Sequence, residues 1–128
     1  FLDNDNELFV NEIAPRPHNS AHHTIEGSYT SQFDQMFRIL VGLPLGSTTF
    51  RDAAVMINLV GPEEGEGAYY LEKLEEILEI EGVYIHMYGK TISKPHRKLG
   101  HATIINNSIL KAREIADFVE STLKVKII

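Results

Sequence analysis

Residues 11–24 read NEIAPRPHNSAHHT and concentrate more chemistry than any other stretch of this chain. Asn11 and Glu12 offer two hard oxygen donors. Mg²⁺ takes such donors together with waters and a substrate phosphate, and one carboxylate alone is rarely enough. A second acid is therefore expected nearby. Pro15 and Pro17 restrict the backbone on either side of Arg16 and lower the entropy cost of holding it. The Arg16 guanidinium is a planar fork of donors suited to phosphate or carboxylate. His18, Asn19 and Ser20 add neutral donors and acceptors. The loop can thus set a cation and hydrogen-bonding groups beside a metal carboxylate, an arrangement suited to two anionic ligands. Two rivals remain. Asn11 and Glu12 can be a solvated strand-end pair, and His18, His22 and His23 can be a three-histidine zinc site. Against zinc, Pro15, Pro17 and the Asn-Ser pair oppose a regular helix, so the i, i+4 spacing does not guarantee convergence.

A second constellation is YGKTISKPHRKLGH, residues 88–101. Lys90 and Arg97 stand near its two ends, and Gly89 and Gly100 allow close backbone approach. Two converging cations can clamp a phosphate. The glycine spacing is not that of a Walker loop. Charge is unevenly spread around this loop. Glu63, Glu64, Glu66, Glu72, Glu75, Glu76, Glu79 and Glu81 face a single base, Lys73. From Gly82 to Arg113 there is no acid, only Lys90, Lys94, Arg97, Lys98, Lys111 and Arg113. A cationic loop in a chain of net charge −6 fits a small anion better than nucleic acid, which needs a broad basic face. Solvated loop charges are the alternative.

Several elements must position these groups. FLDNDNELFV reads as a hairpin: a strand end at Phe1 and Leu2, a polar turn over Asp3–Asn6, and a second strand at Leu8, Phe9 and Val10. A first strand of two residues is incomplete, so the chain is expected to be the C-terminal part of a longer one. Phe33, Met36, Phe37, Leu40 and Val41 have helical spacing, with Ser31 as N-cap, Asp34 three residues on, and Gly42 as the stop. AAVMINLVG reads as a buried strand. Tyr70, Leu71, Leu74, Ile77 and Leu78 predict a second helix ending at Gly82. VYIHMYG and HATII are predicted strands flanking the basic loop. Asn107 or Ser108 caps a last helix with the stripe Ile109, Ala112, Ala116, Val119 and Leu123. The pattern is a mixed α/β (α+β) fold.

With 128 residues, 43% hydrophobic and 23% charged, the composition is that of an ordinary globular domain. Cysteine is absent, which excludes disulfides and thiolate metal sites. No apolar run approaches the roughly 18–20 residues of a membrane helix, and no signal peptide is apparent. These features fit a cytoplasmic protein.

Taken together and in this order, NEIAPRPHNSAHHT, TSQFDQMFRILVGLPLG, AAVMINLVG and YGK…RKLGH resemble the C-terminal part of the 5-(carboxyamino)imidazole ribonucleotide synthases, ATP-grasp ligases of purine biosynthesis. The resemblance runs to about residue 105, and the last helix adds little. It implies the end of an ATP-grasp domain over residues 1–50 and a small C-terminal mixed α/β domain over 51–128. It also implies carboxylation of aminoimidazole ribonucleotide by bicarbonate at the expense of ATP and Mg²⁺, with carboxyphosphate formed first, in a homodimeric enzyme. By the same resemblance, Glu12 is a Mg²⁺ ligand of the ATP site with Asn11 beside it. Arg16, His18, Asn19 and Ser20 face the reaction centre and the imidazole nucleotide. Lys90 and Arg97 clamp its 5′-phosphate. Three positions depart from the family pattern: Ala21 replaces a usual glycine, Met36 a common histidine, and His23 a usual aromatic residue. If position 21 requires φ > 0, Ala21 costs roughly 1 kcal/mol or more. The family's second Mg²⁺-binding glutamate would fall upstream of Phe1. Two alternatives stay open: another ATP-grasp carboxylate or formate ligase, and a non-catalytic phosphosugar-binding module.

Overall fold

The computed structural model describes residues 3–128. Phe1 and Leu2, the expected first strand of the hairpin, lie outside the described residues. The polar turn is present. Asp3 Oδ1 accepts from the backbone N–H of Asp5 (2.9 Å) and Glu7 (2.8 Å), and Asn6 sits at φ 61°, a conformation asparagine tolerates. The second strand is reduced to a bridge at Leu8; Phe9 and Val10 are not in a strand.

The chain then runs irregularly to a 3₁₀ turn, Asn19–Ala21, and a one-turn helix α1, Thr24–Gly27. Helix α2 spans Gln32–Leu40 behind the expected capping box. Ser31 Oγ accepts from Asp34 N–H (3.2 Å), and Asp34 Oδ2 accepts from Ser31 Oγ (2.8 Å) and N–H (3.2 Å). These bonds, the side-chain one foremost, hold the Asp34 carboxyl below its usual range. Gly42, at φ 71°, ends the helix. The apolar stripe of α2 is unburied: Phe37 is 59% and Leu40 73% exposed.

Strands β1 (Ala53–Val60), β3 (Val83–Met87) and β4 (Lys98–Asn106) form an antiparallel sheet in the order β1-β4-β3. Strand β2 (Tyr69–Glu72) pairs antiparallel with β5 (Lys124–Ile127). Helix α3 is Leu74–Leu78 and α4 is Ile109–Thr122, capped by Ser108.

Three further elements differ from expectation. The helix predicted from Tyr70 to Leu78 is a strand followed by one helical turn, separated by Lys73 at φ 67°. Leu71, Leu74 and Ile77 reach the core from both halves, so helical spacing survives without a continuous helix. The strand half is decided by its pairing with β5, a C-terminal strand not foreseen, through Tyr69↔Ile127 to Glu72↔Lys124. Strand β4 starts at Lys98, three residues before HATII, because it is central and both neighbours extend its ladder.

The side chains of the sheet alternate between two environments. Val55, Ile57, Leu59, Val83, Ile85, Ala102 and Ile104 share one face, which α4 covers with Ala112, Ala116 and Val119. The small alanines let the helix lie close. Truncating the fully buried Ile104 to alanine would cost about 2–5 kcal/mol. The opposite face carries Asn58, His101 and His86 in one cross-strand row, with Met56, Thr103 and Tyr84 in the next. On it sits α1: a Cβ added to Gly27 would lie 2.9 Å from Ala54 Cβ. Gly82 is required at the start of β3, since at φ 81° a Cβ there would stand 2.4 Å from the Ile105 carbonyl oxygen. The polar face is therefore where the histidine-rich loop docks.

Candidate functional site

The loop is held by Gln32, at the first position of α2. Its Oε1 accepts from His18 N–H (2.8 Å), and its Nε2 donates to His18 O (2.9 Å) and to His22 Nδ1 (2.7 Å). The His18 N–H fixes which end of the amide is oxygen. His22 Nδ1 must therefore accept, and its ring proton lies on Nε2. Burial, then the charges of His18, His86 and Lys98, keep the His22 pKa below 6.5. Thr24 Oγ1 ties the same corner, donating to Ala21 O (2.6 Å) and accepting from Gln32 N–H (3.0 Å). Ala21 is not among the described residues with positive φ. It sits in the 3₁₀ turn, with its N–H on His18 O at 3.0 Å. Alanine at this position carries no left-handed strain.

Beyond this corner, Asn19 meets the sheet. Its Oδ1 accepts from Lys98 Nζ (2.8 Å) and its Nδ2 donates to Tyr88 Oη (3.3 Å). Tyr88 Oη is 3.0 Å from His101 Nδ1. Lys90 Nζ donates to Lys98 O (2.6 Å), 6.0 Å from the Tyr88 ring centroid. Lys90, Lys98 and Arg16 form no ion pair among the described residues; Arg16 reaches only Pro17 O (3.3 Å). Arg97 likewise holds only a carbonyl, that of Ile92, at 3.0 Å. By contrast Lys94, in the same basic loop, is neutralised by Glu66 at 2.8 Å. Cations resting on neutral carbonyls keep their charge available for an anion.

Beneath Asn19 the rings of His22 and His101 lie 4.9 Å apart between centroids, and His101 stacks on His86 at 4.6 Å. Glu26 Oε1 closes the row on His86 Nε2 at 2.6 Å. Burial first, then the charges of His86 and His22, push the His101 pKa down to about 4. Burial raises the Tyr88 pKa, opposed by the hydrogen bond from Asn19.

The structure thus brings His18, Asn19 and Ser20 to the end of the basic loop that carries Lys90. His18 Nδ1 is engaged locally, 2.9 Å from Ser20 Oγ. Arg97 stabilises the far turn of that loop, where its N–H bonds Lys94 O. Lys98, Tyr88, His86, His101, Glu26 and Gln32 also belong to the site, though no residue type or spacing marks them individually in the sequence. Lys98 stood among the counted loop bases, and the two histidines stood on the polar side of their strands. The three zinc candidates do not converge: Nδ1 of His22 is on Gln32 and Nδ1 of His23 contacts Ser20 O (3.1 Å). Among the described residues no group of three His, Asp or Glu is arranged for a metal. Asn11 and Glu12 are exposed and make no hydrogen bond or ion pair among the described residues. Their free oxygens fit a hard cation as part of a ligand set, with a further carboxylate still required.

Two family descriptions match the chain: the ATP-grasp domain over residues 1–33, and the phosphoribosylaminoimidazole carboxylase C-terminal domain over residues 54–115. The fold is a mixed helix and strand fold that matches part of ATP-grasp enzymes of known structure. A crystal structure of N5-carboxyaminoimidazole ribonucleotide synthetase from Thermotoga maritima is 48% identical, with a TM-score of 0.96, over 100% of this chain and 36% of its own. The Aspergillus clavatus synthase, crystallised with ADP and 5-aminoimidazole ribonucleotide, is 34% identical with a TM-score of 0.77, over 94% of this chain and 33% of its own. The curated Aquifex aeolicus synthase is 39% identical over 97% of this chain and 32% of its own. The chain is similar to one part of the N5-carboxyaminoimidazole ribonucleotide synthases and spans about a third of the length of these relatives.

No helix among the described residues is long and apolar enough to cross a membrane.

Proposed function

We propose that the whole protein carboxylates 5-aminoimidazole ribonucleotide with bicarbonate at the expense of ATP, and that this chain supplies the nucleotide-facing wall and part of the metal site. The observation that carries the reading is the meeting of the Arg16–Ser20 loop with Lys90 and Lys98, cations with no carboxylate partner among the described residues. Relatives named for the synthesis of N5-carboxyaminoimidazole ribonucleotide support it.

In this reading Lys90 and Arg97 exchange their carbonyl partners for the 5′-phosphate. Arg16 faces the second anion at the reaction centre. His18, Asn19 and Ser20 orient the imidazole ring and its amine for attack on the activated carboxyl carbon. Asn11 and Glu12 would be the residues of this chain that hold Mg²⁺. Mg²⁺ and ATP supply charge neutralisation and the phosphoryl group that activates bicarbonate. Residues 1–50 are proposed to end the ATP-grasp domain and 51–128 to form the small C-terminal domain, in a cytoplasmic homodimer.

Calorimetric titration of the chain with 5-aminoimidazole ribonucleotide tests the nucleotide wall. Lys90→Ala and Arg97→Ala are each expected to weaken binding about ten- to hundredfold, the worth of a charge-assisted hydrogen bond. Lys94→Ala, whose cation is already paired with Glu66, should change little. Equal affinity across all four proteins would refute the clamp.

A further inference from the structure

Asn19 is the one residue of the loop whose side chain is bonded at both ends by the small domain's sheet region. The partners allow one pattern of donors only. Lys98 Nζ can only donate, so the atom 2.8 Å away is Asn19 Oδ1. The Asn19 amide nitrogen can only donate, so Tyr88 Oη accepts that bond at 3.3 Å. The phenol proton is left for His101 Nδ1, at 3.0 Å. His101 is then the neutral tautomer with its proton on Nε2, an atom buried without a partner. The chain of bonds runs in one direction, from the Lys98 ammonium through amide and phenol to the imidazole. Each bond polarises the next.

We propose that Lys98, Tyr88 and His101 are positioning residues that set the carboxamide of Asn19 and turn one strengthened N–H donor toward the substrate. The inference rests on the reading that the Arg16–Ser20 loop faces the nucleotide. Of the two amide protons one goes to Tyr88, and the ammonium on Oδ1 draws electron density from the nitrogen, making the second a better donor. The complementary group is a hydrogen-bond acceptor, such as an unprotonated ring nitrogen or a carboxylate or phosphate oxygen. A free asparagine would offer either end at random; this one is held by residues 69 and 79 positions further along the chain. Before the nucleotide binds, Lys90 adds to the frame. Its ammonium on Lys98 O, at 2.6 Å, ties the end of β3 to the start of β4. The rings of His22 and His86 pack on His101 and fix its plane.

The test uses the isotopically labelled 128-residue chain without ligand, then titrated with 5-aminoimidazole ribonucleotide. Tyr88→Phe should shift both the Asn19 carboxamide and the His101 Nδ1 resonances. Lys98→Met should shift the Asn19 carboxamide, and Lys98→Arg should restore it. Amide resonances of α4 should stay in place throughout, which separates positioning from a damaged fold. In the titration, Tyr88→Phe and Lys98→Met should each weaken binding about five- to thirtyfold. Combined with Asn19→Ala, neither should add to the loss caused by Asn19→Ala alone. An Asn19 carboxamide indifferent to both variants, or losses that add to that of Asn19→Ala, overturns the proposal. If no variant and not the parent chain binds the nucleotide, the proposed function falls, while the ligand-free resonances still decide the positioning.

Discussion

Glu26 Oε1 lies 2.6 Å from His86 Nε2, across 60 residues of sequence. That pair pins α1 to β3 and closes the row of rings under Asn19. The Glu26 side chain is nearly buried, at 13% exposure, and its second oxygen has no partner.

Replacing His86 with alanine leaves the carboxylate of Glu26 buried and alone. A loss of about 1–3 kcal/mol in urea denaturation is expected, tempered by the partial exposure of His86. Glu26→Gln, which keeps shape and one hydrogen bond, should cost less. The reverse ranking would mean that the pair does not anchor the loop.

Acid should act through His101. Its folded pKa of about 4 lies below the ordinary 6.5, so the unfolded chain binds the proton more readily between those values. Stability from this group is complete above about pH 6.5 and is lost as pH falls through about 4, at most on the order of 3 kcal/mol. His22, also depressed, acts with the same sign. His101→Asn should flatten the profile of unfolding free energy over this window.

Gln32→Glu turns a donor into an acceptor. A carboxylate oxygen would then face both His18 O and His22 Nδ1. His22 should bind a proton there, so its pKa, now below 6.5, rises. A folded pKa raised above the unfolded one stabilises at low pH, and that gain is lost as pH rises through it. NMR titration of His22, with urea midpoints on either side of neutrality, reads both effects.

The bare face of α2 should make the chain associate. Phe37 and Leu40 are solvent-exposed side chains on an amphipathic helix, and contiguous apolar surface of this kind drives self-association. Sedimentation of the chain should show concentration-dependent oligomers, reduced in Phe37→Glu and Leu40→Glu.

The 128-residue chain alone is expected not to turn over ATP in the presence of 5-aminoimidazole ribonucleotide and bicarbonate. It spans about a third of its relatives, and Glu12 has no second acid beside it in a metal-ready group among the described residues. Coupled measurement of ADP release checks this; sustained, nucleotide-dependent release would contradict it.

Local patterns determined much of this protein. The capping box at Ser31 and Asp34, the stop at Gly42, the strand Ala53–Val60 and the α4 stripe depend on neighbours within a few residues, and each was legible in the sequence. The loop that carries Arg16 and Asn19 also stood out by its residue types, which are local. Pairing between distant segments was not legible. Tyr69–Glu72 became a strand because Lys124–Ile127 lies beside it, a register that no local periodicity encodes. The same holds at the site. Lys98 looked like one loop cation among several, and His101 like an ordinary strand residue. Only the antiparallel register of β3 and β4, with the loop docked on their polar face, placed both beneath Asn19. Hydrogen-bond direction and burial there follow from three-dimensional proximity, which the tertiary fold alone supplies.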